Sequence, residues 1–224
     1  MPTGTPYKPR SPMEMVETLQ ARVNTAARSY RLAIVRYLMR TPLSLRPKYV
    51  AFLLDLANQS DHMQTVLGRA AERMPDGAIA NLLRTYLREE RARMQLVLAD
   101  LRRLGFSSEL PDRSTTSGDA ALRAYSTTLS YERPTAMLGI LLVIMGVAAE
   151  ISPIVVKLLS VGSVPREAMG WLLLRQSADP EAVRQLLAQV SELVVEPSDQ
   201  HSVIEAAEVT GELLALGAAA RPVG

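Results

Sequence analysis

Glu90 is a carboxylate on the wrong side of a helix. In residues 83–105, LRTYLREERARMQLVLADLRRLG, the positions Leu83, Leu87, Glu90, Met94, Val97, Leu101 and Leu104 recur at alternating steps of four and three. That spacing is the inward stripe of an amphipathic helix, and Glu90 falls within it. Arg93 lies one turn from Glu90 and one turn before Val97, so it borders the same face, while Arg88, Glu89, Arg91, Arg102 and Arg103 point largely outward. A carboxylate facing an apolar interior is a general acid or base if a substrate reaches it. A guanidinium beside it either neutralises it or grips an anion bidentately. Tyr86, one turn before Glu90, reads first as a core ring with its hydroxyl bonded and second as a proton donor to the same space.

The rest of the chain offers little competing chemistry. There is no cysteine, which removes disulfides, thiolate metal sites and cysteine nucleophiles together. His62 and His201 are the only imidazoles, and His62 reads as a surface helix residue. No glycine-rich phosphate loop and no nucleophile elbow is present. The 25 Lys plus Arg nearly balance 23 Asp plus Glu, so a net charge of +2 gives no electrostatic case for nucleic acid. Only Lys8, Lys48 and Lys157 are lysines, an arginine bias that suggests a GC-rich bacterial gene. No secretory signal is read at the amino terminus, so a cytoplasmic protein is expected. Residues 136–149 are 14 uncharged residues, short of a bilayer span, and read as a buried core helix.

The elements that position these residues are all helical. Residues 1–10 read as a flexible tail and 11–224 as one all-α domain of about eight or nine helices, a helical bundle. Ser11-Pro12-Met13-Glu14 carries three helix-start signals, and the first helix is expected over 12–40. Helices follow over 45–57 and 59–74, with the polar run 58–61 as the break, and Pro75-Asp76-Gly77 turns the chain into the Glu90 helix. Gly105 ends that helix and 106–118 is a loop. Asp119 is expected to cap the next helix, Pro134 opens the apolar one, and Ser152-Pro153 is expected to kink or interrupt it. Pro165 heads a helix to about 177, Asp179-Pro180-Glu181 starts another to about 195, and a last helix ends near 220.

Glu89-Glu90-Arg91-Ala92-Arg93, with Leu98-Ala99-Asp100-Leu101 and Leu104-Gly105 after it, resembles the E-x-G-H-x(6)-D-L-x-x-L-G block of the heme-oxygenase-like iron-containing oxidases. That superfamily also includes thiaminase-II-like proteins and pyrroloquinoline quinone synthase. In residues 171–187, Arg175, Asp179 and Ala182 occupy the spacing of the family's H-x(3)-D-x(2)-H block, and Leu138-Gly139 with Ile144-Met145-Gly146 resembles the segment between the two. The resemblance implies the family's helical bundle with a central pocket. It places Glu90 and Asp179 at acidic ligand positions, and Arg93 and Arg175 where histidines stand. Ala182 and Met145 replace a third histidine and a glutamate. A guanidinium cannot serve as an iron donor near neutral pH, so neither a metal nor another cofactor is expected.

With Tyr86 added from its helix spacing, and with Trp171, which reads first as core, Glu90, Asp179 and Tyr86 form the expected catalytic set, and Arg93, Arg175, Met145 and Trp171 the expected substrate-binding set. Two roles stay open. The arginines plug a dead metal site as an ion-pair cluster, or one of them is free to hold a small anionic substrate for metal-independent elimination, cyclisation or hydrolysis. The alternative function is a non-catalytic pseudoenzyme subunit that stabilises a partner. A homodimer, or a heterodimer with a pathway partner, is expected, built on the apolar segment after Pro134 or the last helix, 203–220.

Overall fold

The computed structural model describes residues 9–40, 45–106, 116–162 and 164–220. Among them the chain forms seven α-helices: α1 (Pro12–Met39), α2 (Leu45–Arg73), α3 (Ala78–Arg103), α4 (Ser117–Glu132), α5 (Met137–Val161), α6 (Gly170–Leu193) and α7 (Pro197–Ala219). Short 3-10 segments at Pro134–Ala136 and Arg166–Met169 lead into α5 and α6. The expected capping box is present: the Ser11 hydroxyl accepts the Glu14 N–H at 3.3 Å, and the Glu14 carboxylate accepts the Ser11 N–H at 2.8 Å. Gly105 stops α3 at φ 79°, a conformation that strains any residue with a Cβ. Lys48 finishes α1 from the next helix, its buried ammonium donating to the Tyr37 carbonyl at 2.9 Å and the Leu38 carbonyl at 3.4 Å.

Three expected interruptions do not occur. The polar run 58–61 lies inside a continuous α2, Ser152-Pro153 lies inside a continuous α5, and Pro180 lies inside α6. Each helix continues because its buried stripe continues: Met63, Val66 and Leu67 after the first, Val155 and Leu159 after the second, Val183, Leu186 and Leu187 after the third. Seven long helices therefore stand where eight or nine shorter ones were expected. Thr116, rather than Asp119, caps α4, and Asp119 sits three residues later with its own N–H donated to the Thr116 hydroxyl at 3.2 Å. Most of the expected amino-terminal tail and loop residues 107–115 lie outside the described residues. Arg10, at the edge of that tail, is tied down, its N–H donating to the Gln200 side chain at 2.8 Å.

α5 is the centre of the packing, with α1, α6 and α7 against it and the α2–α3 pair across from it. The segment Pro134–Val161 is 28 residues long, enough to cross a bilayer, and its most apolar window has a mean hydropathy of 2.3. It is instead the core helix: 67% of that window is buried inside the bundle. Close approach to its neighbours rests on missing side chains. A Cβ on Gly139 would overlap the Val203 carbonyl oxygen of α7, and one on Gly146 would overlap the Val23 side chain of α1. α7 in turn packs along α1, α4 and α5, so most of the apolar surface expected to meet a partner is used within the chain.

Candidate functional site

α3 and α6 pack together and bring Glu90, Arg93, Arg175 and Asp179 into a ring of alternating charge. Around it, Arg175 Nη1 meets Asp179 Oδ2 at 2.8 Å, Arg93 Nη2 meets Asp179 Oδ1 at 3.8 Å, Arg93 Nη1 meets Glu90 Oε2 at 3.8 Å, and Arg175 Nη2 meets Glu90 Oε2 at 4.0 Å. Only the first of these is short enough to be a hydrogen bond. Asp179 is 1% exposed and Arg175 3%, so the pair compensates charges that the interior would not tolerate singly. Arg93 is further held by Glu89 at 3.1 Å, and Glu90 accepts the Ser60 hydroxyl of α2 at 2.7 Å. The four residues picked out in the sequence thus do come together.

Arg175 is the member with something left over. Its guanidinium lies 4.9 Å from the Trp171 ring, one turn earlier on α6. Its Nε–H is buried with no acceptor. Burial, and then the nearby Arg93, hold its pKa below the ordinary guanidinium value, while Asp179 and Glu90 pull the other way. The start of α6 is fixed by Asp100, which the motif contained but to which the sequence gave no role. Its carboxylate, wholly buried, accepts the N–H groups of Gly170 at 3.0 Å and Trp171 at 2.8 Å from across the α3–α6 contact. Burial raises its pKa, against the pull of these two amides and Arg103. The signal available beforehand was an acid on the buried side of α3, two helical turns beyond Arg93.

Next to the ring lies a cleft between α2 and α5. Phe52, Leu56 and Met63 line one wall, Leu141, Ile144 and Ile151 the other, with Trp171 and Arg175 at the α6 side. Polar side chains on it include Tyr30, Gln59, Ser60, Glu90 and Arg175. The free cavity is about 60 Å³, room for roughly two waters. Of the expected binding residues, Arg175 and Trp171 line the cleft, while Arg93 and Met145, although buried, do not. Of the expected catalytic residues, Glu90 reaches it, while Asp179 and Tyr86 stand behind. The Tyr86 hydroxyl is pushed up to about 12, first by burial and then by Glu89. His62 is not a surface residue: it is half-buried and hydrogen-bonded to the Ser126 hydroxyl of α4 at 2.9 Å.

The donors present do not fit iron. Two guanidinium groups occupy the space between Glu90 and Asp179, and neither has a lone pair to offer. Among the described residues no group of three or more His, Asp and Glu is placed to hold a metal ion. Neither His62 nor His201 joins the ring.

No protein-family model matches the chain, and no curated protein matches it by sequence. A solved structure from Shewanella denitrificans, a domain of unknown function with a heme oxygenase-like fold, superposes on it with a TM-score of 0.73. The match covers 88% of this chain and 87% of that one at 18% identity. The chain therefore has the heme oxygenase-like fold, as the motif spacing implied, and the likeness at that identity is one of fold.

Proposed function

We propose that the chain is a metal-independent bacterial cytoplasmic protein that holds a small metabolite in the cleft between α2 and α5, with Glu90 as its acid/base group. The observation that carries this reading is the cleft itself, where the Glu90 carboxylate and the Arg175 guanidinium stand beside Phe52, Leu141, Ile144 and Trp171. Glu90 lies on the same cleft, held by Ser60, so a ligand anchored on Arg175 meets a carboxylate placed for proton transfer of the kind used in elimination, cyclisation or hydrolysis. Asp179, within the ring, holds Arg175 in place for that ligand. A panel of few-carbon metabolites titrated against Trp171 fluorescence tests the reading. A saturable change that Arg175→Lys abolishes is expected, and a flat response across the panel overturns it.

The alternative, a partner subunit without catalysis, draws on Leu32, 58% exposed beside the α1–α7 groove formed with Ala215, Ala218 and Ala219. Sedimentation of the wild type and Leu32→Arg decides it: a dimer that the substitution breaks favours this reading, and a monomer in both removes the support.

A further inference from the structure

Charge is not spread evenly along the chain. Residues 18–54 contain no Asp or Glu but carry six arginines and one lysine, in a protein whose net charge is only +2. Most of these cations are used within the fold. Arg22 pairs with Glu208 and Arg31 with Glu150, each at 3.0 Å, Arg46 donates to the Leu104 carbonyl, and Lys48 closes the end of α1. Arg36 and Arg40 are different: one turn apart at the end of α1, both exposed, they meet no carboxylate and no hydrogen-bond acceptor among the described residues. Like charges at that spacing repel each other. The field reaches Lys48, whose pKa is lowered first by burial and then by Arg40.

These two arginines line a groove between α1 and α7 with about 390 Å³ of free space, inside the range of roughly 300–1,000 Å³ usual for small-molecule sites. α7 runs parallel to α1, with Glu208 at Arg22 and Gly211 at Ala26, so Ala215, Ala218 and Ala219 stand level with the turn around Leu32, and α7 ends about level with Arg36. One end of the groove is therefore apolar, with Leu32 and Ala33 facing alanines, and the other is cationic. Among the described residues no carboxylate lines it. The end of α7 contributes about half a negative charge, too little to balance two guanidinium groups.

We propose that this groove binds a free aliphatic carboxylate, its head beside Arg36 and Arg40 and its chain along Leu32 and the alanines of α7. Leu32 and Arg40 are about 12 Å apart along the helix axis, which suits a chain of the length of octanoate. The head group supplies the anion that the arginines lack, and the chain covers an apolar side chain that is 58% exposed. The site is separate from the cleft between α2 and α5 and does not depend on it.

Equilibrium dialysis of the full chain against octanoate, acetate and octylammonium separates the two ends of the groove. Octanoate is expected to saturate one site and to bind about tenfold or more tighter than either of the others. Arg36→Gln combined with Arg40→Gln, at exposed positions, is expected to weaken octanoate about tenfold, as is Ala219→Leu, which fills the apolar end from an exposed position. Glu90→Gln, in the other cleft, should leave octanoate affinity unchanged. Acetate binding as well as octanoate overturns the apolar end, and octylammonium binding as well as octanoate overturns the arginine end. Octanoate affinity that survives the double substitution puts the ligand elsewhere and overturns the groove. Sedimentation with phosphatidylglycerol vesicles, without binding of octanoate, overturns the free carboxylate in favour of a membrane surface. No binding of any of these probes overturns the proposal and leaves the cleft between α2 and α5 untouched.

Discussion

Asp179 and Arg175 are the least replaceable members of the ring, because theirs is its one short contact, 2.8 Å, and both are almost wholly buried. Arg175→Met leaves the Asp179 carboxylate uncompensated, and a loss of about 3–5 kcal/mol in urea unfolding is expected. Removing both charges in Arg175→Met with Asp179→Leu is expected to restore most of that loss, since a buried pair is often no better than apolar residues of similar volume. A double variant no more stable than the single one would show that the pair contributes more than mutual compensation. The exposed Arg184–Glu181 pair is the contrast: Glu181→Ala is expected to leave the urea midpoint unchanged. At this scale Glu90 and Arg93 were legible because charge in an apolar stripe is a violation that periodicity exposes. The role of Asp100 was not, since its partners are backbone amides seventy residues away, and amides carry no residue type to read.

Polar residues in the middle of α2 explain both the misread break and the way the helices are tied together. Asn58, Ser60 and His62 resemble a turn in sequence, yet each position meets a neighbouring helix: the Asn58 backbone carbonyl accepts Arg123, the Ser60 hydroxyl donates to Glu90, and the His62 ring bonds the Ser126 hydroxyl. Tertiary hydrogen bonds override local propensity there. Burial, and then Arg123, hold the His62 pKa below the ordinary imidazole value, about 6.5. The unfolded chain therefore binds a proton more readily than the folded one. Stability is expected to be full above that ordinary value and to fall as pH drops from it towards the lowered folded value. His62→Gln, which keeps a donor for Ser126, should flatten that part of the pH profile, and an unchanged slope would discount His62. Two glycines test helix packing directly. Gly68→Ala adds a methyl that meets only Leu87, at 3.8 Å, and should stabilise α2 by about 0.5–1 kcal/mol. Gly139→Ala drives a methyl into the α7 backbone and should cost about 1–3 kcal/mol or more. Thermal melts of the two variants, shifted in opposite directions, check both.

The fold as a whole was legible because amphipathic stripes fix where helices are and motif spacing fixed how they are arranged, whereas the width of the cleft depends on side-chain packing between α2 and α5. The two ends of the described chain are closed on each other: α1 lies along α7, with Arg22 paired to Glu208 at 3.0 Å and Gly211 seated against Ala26. α7 also covers α4 and the Gly139 face of α5, so the core helix depends on α7 for its cover. Cooperative unfolding follows from that closure, since loosening α7 exposes the apolar faces of three other helices together. Far-ultraviolet circular dichroism reports all the helices, while Trp171 reports the α6 side of the cleft beside Phe52, 6.1 Å between ring centres. The two signals are expected to trace one urea transition with the same midpoint, and a chain ending before Pro197 is expected to lose the transition altogether. A Trp171 midpoint distinct from the helical one would mean that the α2–α3 pair and its cleft melt as a unit of their own. A shortened chain that still unfolds cooperatively would mean that α5 finds enough cover without α7.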